Sequence, residues 1–327
     1  MSIIEVRAGI LILLLQLLLP SFATAGSGSN GLVVFGDSLS DTGNKFYITG
    51  FANTPPYSEL LDFFLVADGP YTRGGLHHSN GATWIEQYAR PLGQGGHVRP
   101  ALRSQGKASN YAYGGARARP DLEIIPNSNQ HLPAQVETFL AEVNHSVPAD
   151  SMYVIFIGAN DIFDAVVALT LDPSGTTSAL VIEKAVKSVA TEIDKLSDAG
   201  ALNFVVLNAP DLGQTPAVKL IDDMFSPVPG ALVMAATGFS MAYNDGLNSA
   251  LGLVPGVEII DIFTEFQNLI ENPQDFGLSN SDDACVTPEQ PPYSCRNPDS
   301  YVFWDGVHPT KVAHGIIANV VTDALAN

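Results

Sequence analysis

The stretch VVFGDSLSDTGN, Val33 to Asn44, ends an apolar run on Gly36, Asp37 and Ser38. A serine hydroxyl is a weak nucleophile until a base takes its proton, and the residues around Ser38 would equally suit a plain strand-ending turn. Nucleophilic chemistry also needs a base, a carboxylate to orient it and donors for a developing oxyanion. Near the other end of the sequence, FWDGVHPT supplies Asp305 and His308. Three residues apart on a helical turn, the two can share a face, so that the carboxylate holds the imidazole in the tautomer that accepts the serine proton. NYAYGGARA (Asn110–Ala118) carries the Gly114-Gly115 pair, where backbone can approach a substrate closely. IFIGANDIFD runs from an apolar segment into Gly158, Asn160 and Asp161. The N–H of Ser38, a glycine N–H and the Asn160 amide would then stabilise an oxyanion. Taken singly, these are turn glycines, a helix cap and a surface Asp-Gly loop. Together they provide every part that serine acyl chemistry requires.

The elements that must position these groups can be read from apolar runs. Leu32–Phe35, Met152–Ile157, Asn203–Leu207 and Val257–Ile262 are short, apolar and bounded by turn residues, as strands covered on both faces are. Between them lie helical patterns over Leu132–Val143, Leu180–Gly200, Ala231–Leu251 and Lys311–Leu325. Strand and helix alternating at this spacing predict a parallel sheet with helices on both faces, with chemistry beyond the carboxyl ends of the strands. Residues 45 to 108 interrupt the pattern with Gly, Pro and the aromatics Tyr47, Phe51, Tyr57, Phe63, Phe64 and Tyr71. These suit a satellite core under long loops, with a substrate wall as the alternative.

In this order, FGDSLSDTGN, NYAYGGA, GAND and DGVHP resemble the sequence blocks of the GDSL, or SGNH, hydrolases, over Val33 to about Pro309. NGATWIEQYA and LNAPDLGQTP further resemble the branch holding plant-type GDSL lipases and esterases and bacterial secreted lipases and acyltransferases. The resemblance implies a flavodoxin-like, three-layer α/β/α sandwich around a central parallel sheet. It also implies Ser38 as nucleophile, His308 as base and Asp305 as its partner, with Ser38, a glycine of the YGGA block (Gly114 is the expected one) and Asn160 lining the oxyanion hole. Ser40 stands where the second glycine of a G-x-S-x-G elbow would be, which departs from the α/β-hydrolase pattern. The expected activity is that of a secreted serine ester hydrolase, lipase-, esterase- or lysophospholipase-like, working through an acyl-enzyme. Lipid acyl transfer or carbohydrate deacetylation on the same site are the alternatives. A non-catalytic exported binding protein would have no need of Ser38, Asn160, Asp305 and His308 together.

Bulk properties narrow the partners. The formal charge is −19, from 15 basic and 34 acidic residues, which repels nucleic acid and anionic membranes but leaves small-molecule or lipid esters open. Met1 to Leu19 is mostly apolar and is followed by Ala23-Thr24-Ala25, so residues 1–25 read as a signal peptide cleaved before Gly26. Residues 26–327 then form a single hydrolase domain, secreted or periplasmic, with no membrane span in the mature chain. In an exported protein, Cys285 and Cys295, which flank a Pro-rich loop, read as a disulfide stiffening the approach to Asp305. No metal or organic cofactor is expected. His77, His78, His97, His131 and His145 lack neighbours at metal-ligand spacing and read as surface or loop residues, and His314 as structural. Asp37, Asp41 and Asn44 are expected to brace the Ser38 loop.

Overall fold

The computed structural model describes residues 31–60, 64–120 and 130–326. The expected leader and its cleavage site, and Phe63, lie outside the described residues. The central sheet is formed by β1 (Leu32–Gly36), β2 (Met152–Phe156), β3 (Asn203–Leu207) and β4 (Val257–Ile260), parallel and adjacent in that order. Phe35 stands opposite Ile155, Ile155 opposite Val206, and Val206 opposite Ile259.

Because side chains alternate across a strand, the unbroken apolar runs feed two cores. Val33, Phe35, Tyr153, Ile155, Phe204 and Val206 point to one face. There they meet α3 (Leu132–Glu142), α4 (Ala159–Leu171), α5 (Thr176–Asp198) and α7 (Ala231–Leu251). Leu32, Val34, Val154, Phe156, Val205 and Leu207 point to the other face and pack on α2 (Trp84–Ala89), on α9 (Lys311–Leu325) and on Ile262 at the start of α8 (Ile262–Glu271). This is the three-layer α/β/α arrangement. Two short helices, α1 (Asn44–Thr49) and α6 (Pro216–Phe225), belong to connecting segments.

Several boundaries differ from the sequence reading, most by a residue or two. The Val257–Ile262 run stops being strand at Ile260, because the Asp261 side chain accepts the Thr264 N–H and caps α8. The helix read from Leu180 already starts at Thr176.

On its other side β1 is flanked by residues 109–111. The Val34 N–H donates to Ser109 O at 2.8 Å, and the Tyr111 N–H donates to Val34 O at 2.7 Å. The first connection out of β1 therefore leads to one side of it and the next returns to β2 on the other. Such a reversal opens a crevice beyond the carboxyl ends of the strands, and Ser38 lies there.

A smaller parallel pair, β5 (Asn280–Ala284) with β6 (Tyr301–Phe303), carries the other end of the site. Cys285 and Cys295 are joined in a disulfide. Cys285 packs in a satellite core with Tyr57, Tyr71, Val286 and Trp304. The aromatic loops therefore divide: Tyr57 and Tyr71 fill this core, Tyr47 and Phe51 are exposed, and Phe64 lines the cavity described below.

Candidate active site

Ser38 sits two residues beyond β1 in a loop that holds itself together. The N–H groups of Ser40 and Asp41 donate to the Asp37 carbonyl, and Asp37 Oδ1 accepts the Leu39 N–H at 3.0 Å. Asp41 is the hub. Its Oδ1 accepts from Gly43 and Asn44, and its Oδ2 accepts from Lys45 and Gly114. The Asn44 amide donates to Asn110 O and Ala112 O, which ties the loop to the glycine segment. Gln135 of α3 clamps the strand end from the side, donating to Gly36 O at 2.8 Å and accepting the Gly36 N–H at 2.9 Å.

Asp305 and His308 follow β6 in a tight loop. The Trp304 N–H donates to His308 O at 2.7 Å and the Thr310 N–H to Val302 O at 2.8 Å, while the Thr310 side chain caps α9. Asp305 Oδ1 accepts the N–H groups of Val307 and His308, which fixes the carboxylate against its own turn. His308 Nδ1 lies 2.8 Å from Asp305 Oδ2, and its Nε2 lies 2.8 Å from Ser38 Oγ. The structure thus brings together three side chains whose sequence positions span 270 residues between Ser38 and His308. With Nδ1 protonated toward the carboxylate, Nε2 is free to accept the serine proton.

The sequence reading missed a fourth group. Tyr71, fully buried, donates its hydroxyl to Asp305 Oδ2 at 2.8 Å. Burial and the Asp305 charge hold the Tyr71 hydroxyl well above the usual phenol range, so it stays a donor. A buried tyrosine finds a partner for its hydroxyl, but this partner is 234 residues away and no local pattern points to it.

The glycine pair behaves differently from the expectation. The Gly114 N–H donates to Asp41 Oδ2 at 2.9 Å and is therefore committed to the loop. Gly115 has φ +82°, a conformation that suits glycine, and its N–H has no acceptor among the described hydrogen bonds. Both glycines border the same cavity as Ser38 and Asn160. Asn160, in the first turn of α4, donates one amide hydrogen to Ala116 O at 2.8 Å, which orients the group and leaves the second hydrogen uncommitted.

Two of the histidines read as surface or loop residues, His77 and His78, lie in a loop but are buried beside the site. His77 binds the carbonyls of Gly74 and Gly81 and lies 3.3 Å from Glu86. The His78 ring stacks at 5.1 Å on the His308 ring and borders the cavity, and neither of its nitrogens has a hydrogen-bond partner. Burial holds its pKa well below the ordinary imidazole value, so it is neutral. His131 is also buried, at the start of α3, and its Nδ1 accepts the Arg117 N–H. His97 is partly exposed and His145 exposed, as expected of loop histidines, and His314 is buried in α9. Burial, the largest cause, raises the Asp37 carboxyl to about 7 and leaves its Oδ2 unpartnered one residue from Ser38.

The cavity has a volume of about 250 Å³. Its apolar lining includes Leu60, Phe64, Val66, Ala67, Phe163 and Val167. Its polar lining includes Lys45, Asp68, Gly115, Arg117, Asn160 and Asp164, with Asn160 and Asp164 on the same helix α4 as Phe163 and Val167. Arg117 and Arg119 both bind Asp164, and Arg119 also binds the buried Asp161, so these charges close on themselves.

The chain is similar to known proteins along most of its length. The profile described as GDSL-like Lipase/Acylhydrolase matches residues 32–321. The phosphatidylcholine-sterol acyltransferase of Aeromonas hydrophila is 26% identical over 88% of this chain and 87% of its own. GDSL esterase/lipase 7 of Arabidopsis thaliana is 27% identical over 90% and 88%. Among solved structures, LAE5, an alpha/beta hydrolase from the metagenome of Lake Arreo in Spain, superimposes over 93% of this chain and 98% of its own at 16% identity, with a TM-score of 0.46. Matched by its family profile along nearly all of its described length, the chain belongs to the GDSL-like lipase/acylhydrolase family and is a carboxylic ester hydrolase.

Proposed function

We propose that Ser38, His308 and Asp305 are the catalytic triad of a secreted hydrolase that cleaves carboxylic esters through an acyl-serine. The observation that carries the reading is the buried chain of contacts from Ser38 Oγ to His308 Nε2 and from His308 Nδ1 to Asp305, each at 2.8 Å. As His308 takes its proton, Ser38 Oγ bonds to the ester carbonyl carbon and the carbonyl oxygen becomes an oxyanion. The Ser38 N–H, the Asn160 amide and the Gly115 N–H receive that charge, Gly115 replacing Gly114 because the latter's N–H is bound to Asp41. Collapse breaks the ester C–O bond, and His308 returns the proton to the departing alcohol. Water, deprotonated by the same histidine, then releases the acid and restores Ser38. The apolar lining of Phe64, Val66 and Phe163 suits the acyl chain.

Residues 26–327 act as a single catalytic domain on this reading, and residues 1–25 as an export signal removed from it. No described helix is long and apolar enough to cross a membrane. The test is turnover of p-nitrophenyl esters from acetyl to palmitoyl by the mature protein beside Ser38→Ala. Loss of turnover in the variant supports the triad, and the preferred chain length separates a lipase from a short-chain deacylase. Equal rates in the two proteins overturn it and leave a binding role. The printed activity of the Aeromonas relative favours one further reading, acyl transfer to an alcohol. In the same assay, an added long-chain alcohol would then take up acyl groups otherwise lost to water.

A further inference from the structure

Lys45 stands apart from the other charges around the cavity. It is half-buried, in α1 just beyond the Ser38 loop, and borders the cavity beside Gly114, Gly115 and Asn160. A Cβ built on Gly115 would lie 4.0 Å from its Nζ, so the ammonium sits over the glycine whose N–H the proposed oxyanion hole uses. No carboxylate lies within ion-pair distance of it among the described residues, and its one hydrogen-bond acceptor is Gln130 Oε1 at 3.3 Å. The carboxylates around the cavity among the described residues are engaged elsewhere, Asp68 of the lining accepting from the Asn53 amide at 2.6 Å. Asp41 accepts four backbone N–H groups, one of them that of Lys45 itself, and Asp164 is held by Arg117 and Arg119. The neighbouring His78 is neutral and adds no charge to the cavity. Burial pulls the Lys45 ammonium below its ordinary pKa, with Asp41 drawing it back up and Arg117 adding to the fall. A cation kept partly out of water without a direct counter-ion is unusual, because burying charge is costly unless it is paired. It is more so in a chain whose formal charge is −19.

We propose that Lys45 forms an anion subsite of the ester-cleaving centre, which receives a phosphate or carboxylate group borne by the alcohol part of the substrate. The position supports that assignment. The apolar residues of the lining take the acyl chain, and the alcohol is carried on a separate bond of the carbonyl carbon. Lys45 borders the cavity over Gly115, next to the oxyanion donors, where an anionic oxygen close to the ester would meet donors that the described residues leave unfilled. Arg117 flanks the subsite, but its guanidinium is already spent on Asp164 and Gly115 O. The ligand's charge would supply the counter-ion that the described residues do not. This subsite rests on the triad reading above and deepens it.

The experiment compares esters with the same acyl group, namely 1-butyryl-glycerol, its 3-phosphate, and the butyryl ester of glyceric acid. Wild type should show a kcat/KM for at least one anionic ester about tenfold above that for the neutral one, as a charge-assisted hydrogen bond in a shielded site allows. In Lys45→Met that ratio should fall to about 1, and in Lys45→Arg part of it should return. The two anionic substrates separate the sources: preference for the phosphate alone makes the subsite a phosphate site, and equal preference makes it a general oxyanion site. A wild-type ratio at or below 1 for both, or a ratio that survives in Lys45→Met, overturns the subsite while leaving the triad standing. Equal turnover by Ser38→Ala overturns the triad instead. Should Lys45→Met fail to fold, wild type alone decides: glycerol 3-phosphate must inhibit cleavage of the neutral ester at a concentration at which glycerol does not, and equal inhibition refutes the proposal.

Discussion

The close approach of His78 to Gly114 makes Gly114→Ala a sharp test of how the site is held. A methyl carbon there would stand 2.2 Å from His78 Nε2, and 2.9 and 3.1 Å from the two ring carbons beside it. Ordinary contact for such atoms is about 3.5 Å or more, so the ring must retreat by ~1 Å. No hydrogen bond holds it, but it is packed in the interior with its centroid 5.1 Å from that of His308. The displacement is therefore expected to reach His308 and lengthen its contact with Ser38. Overpacking of this kind costs ~1–3 kcal/mol of stability, and a misplacement of ~1 Å at a reacting group costs ~10²-fold in rate. The assay is kcat/KM on a p-nitrophenyl ester at neutral pH, with a thermal melt alongside to confirm folding. Gly114→Ala should lose about two orders of magnitude in kcat/KM, and adding His78→Ala should restore much of it by emptying the space that the methyl needs. A single variant within about twofold of wild type, or a double variant no better than the single, would refute the claim that the glycine exists to admit the imidazole.

Other perturbations follow from the same contacts. Tyr71→Phe keeps the edge-to-face packing on Tyr57 and Trp304 and removes only the hydroxyl on Asp305. The carboxylate retains its two backbone donors and His308, so kcat should fall ~10-fold with little change in KM, as expected for one hydrogen bond to a charged group. Steady-state kinetics on a single ester checks it, and an unchanged kcat would remove Tyr71 from the catalytic unit. Asp37 gives a pH signature. Burial raises its folded pKa to about 7, well above the ordinary carboxylate range, so the folded state holds the proton more tightly than the unfolded chain does. Its contribution is present in full below ~4 and is lost as pH rises to ~7, at up to ~1.4 kcal/mol per unit. Asp37→Asn should therefore gain on wild type in urea melts between pH 4.5 and pH 8, and a constant difference across that range would show that the carboxyl is not held protonated.

How much of this was legible in the sequence depends on whether the cause is local. β3, α7 and α9 begin and end where the apolar pattern does, because burial on a sheet face or a helix stripe leaves a periodic trace. The strand that was read through Ile262 shows the limit of that trace: Ile259, Ile260 and Ile262 are all apolar, and a single capping aspartate decides that the chain turns into α8. The blocks around Ser38, Asn160 and His308 were recognisable because neighbours along the chain build each of them. Tyr71 and Gln135 were not, since both act on partners that only the tertiary fold supplies. The choice between Gly114 and Gly115 was equally invisible, because it depends on which N–H the distant Asp41 claims. His78 does lie in a loop, but its burial was not legible because no pattern in its own segment marks it.

The 270-residue separation of Ser38 and His308 also has a consequence for how activity arises as the chain folds. The loop closed by that contact encompasses almost the whole described fold, and α9, which directly follows His308, docks on α2 from the first part of the chain. Contacts of such long range are late and slow to form. On refolding, helical signal from α5 and α7 should return before ester cleavage does. Enzymatic activity would then be a stricter report of the completed fold than any spectroscopic measure of its secondary structure.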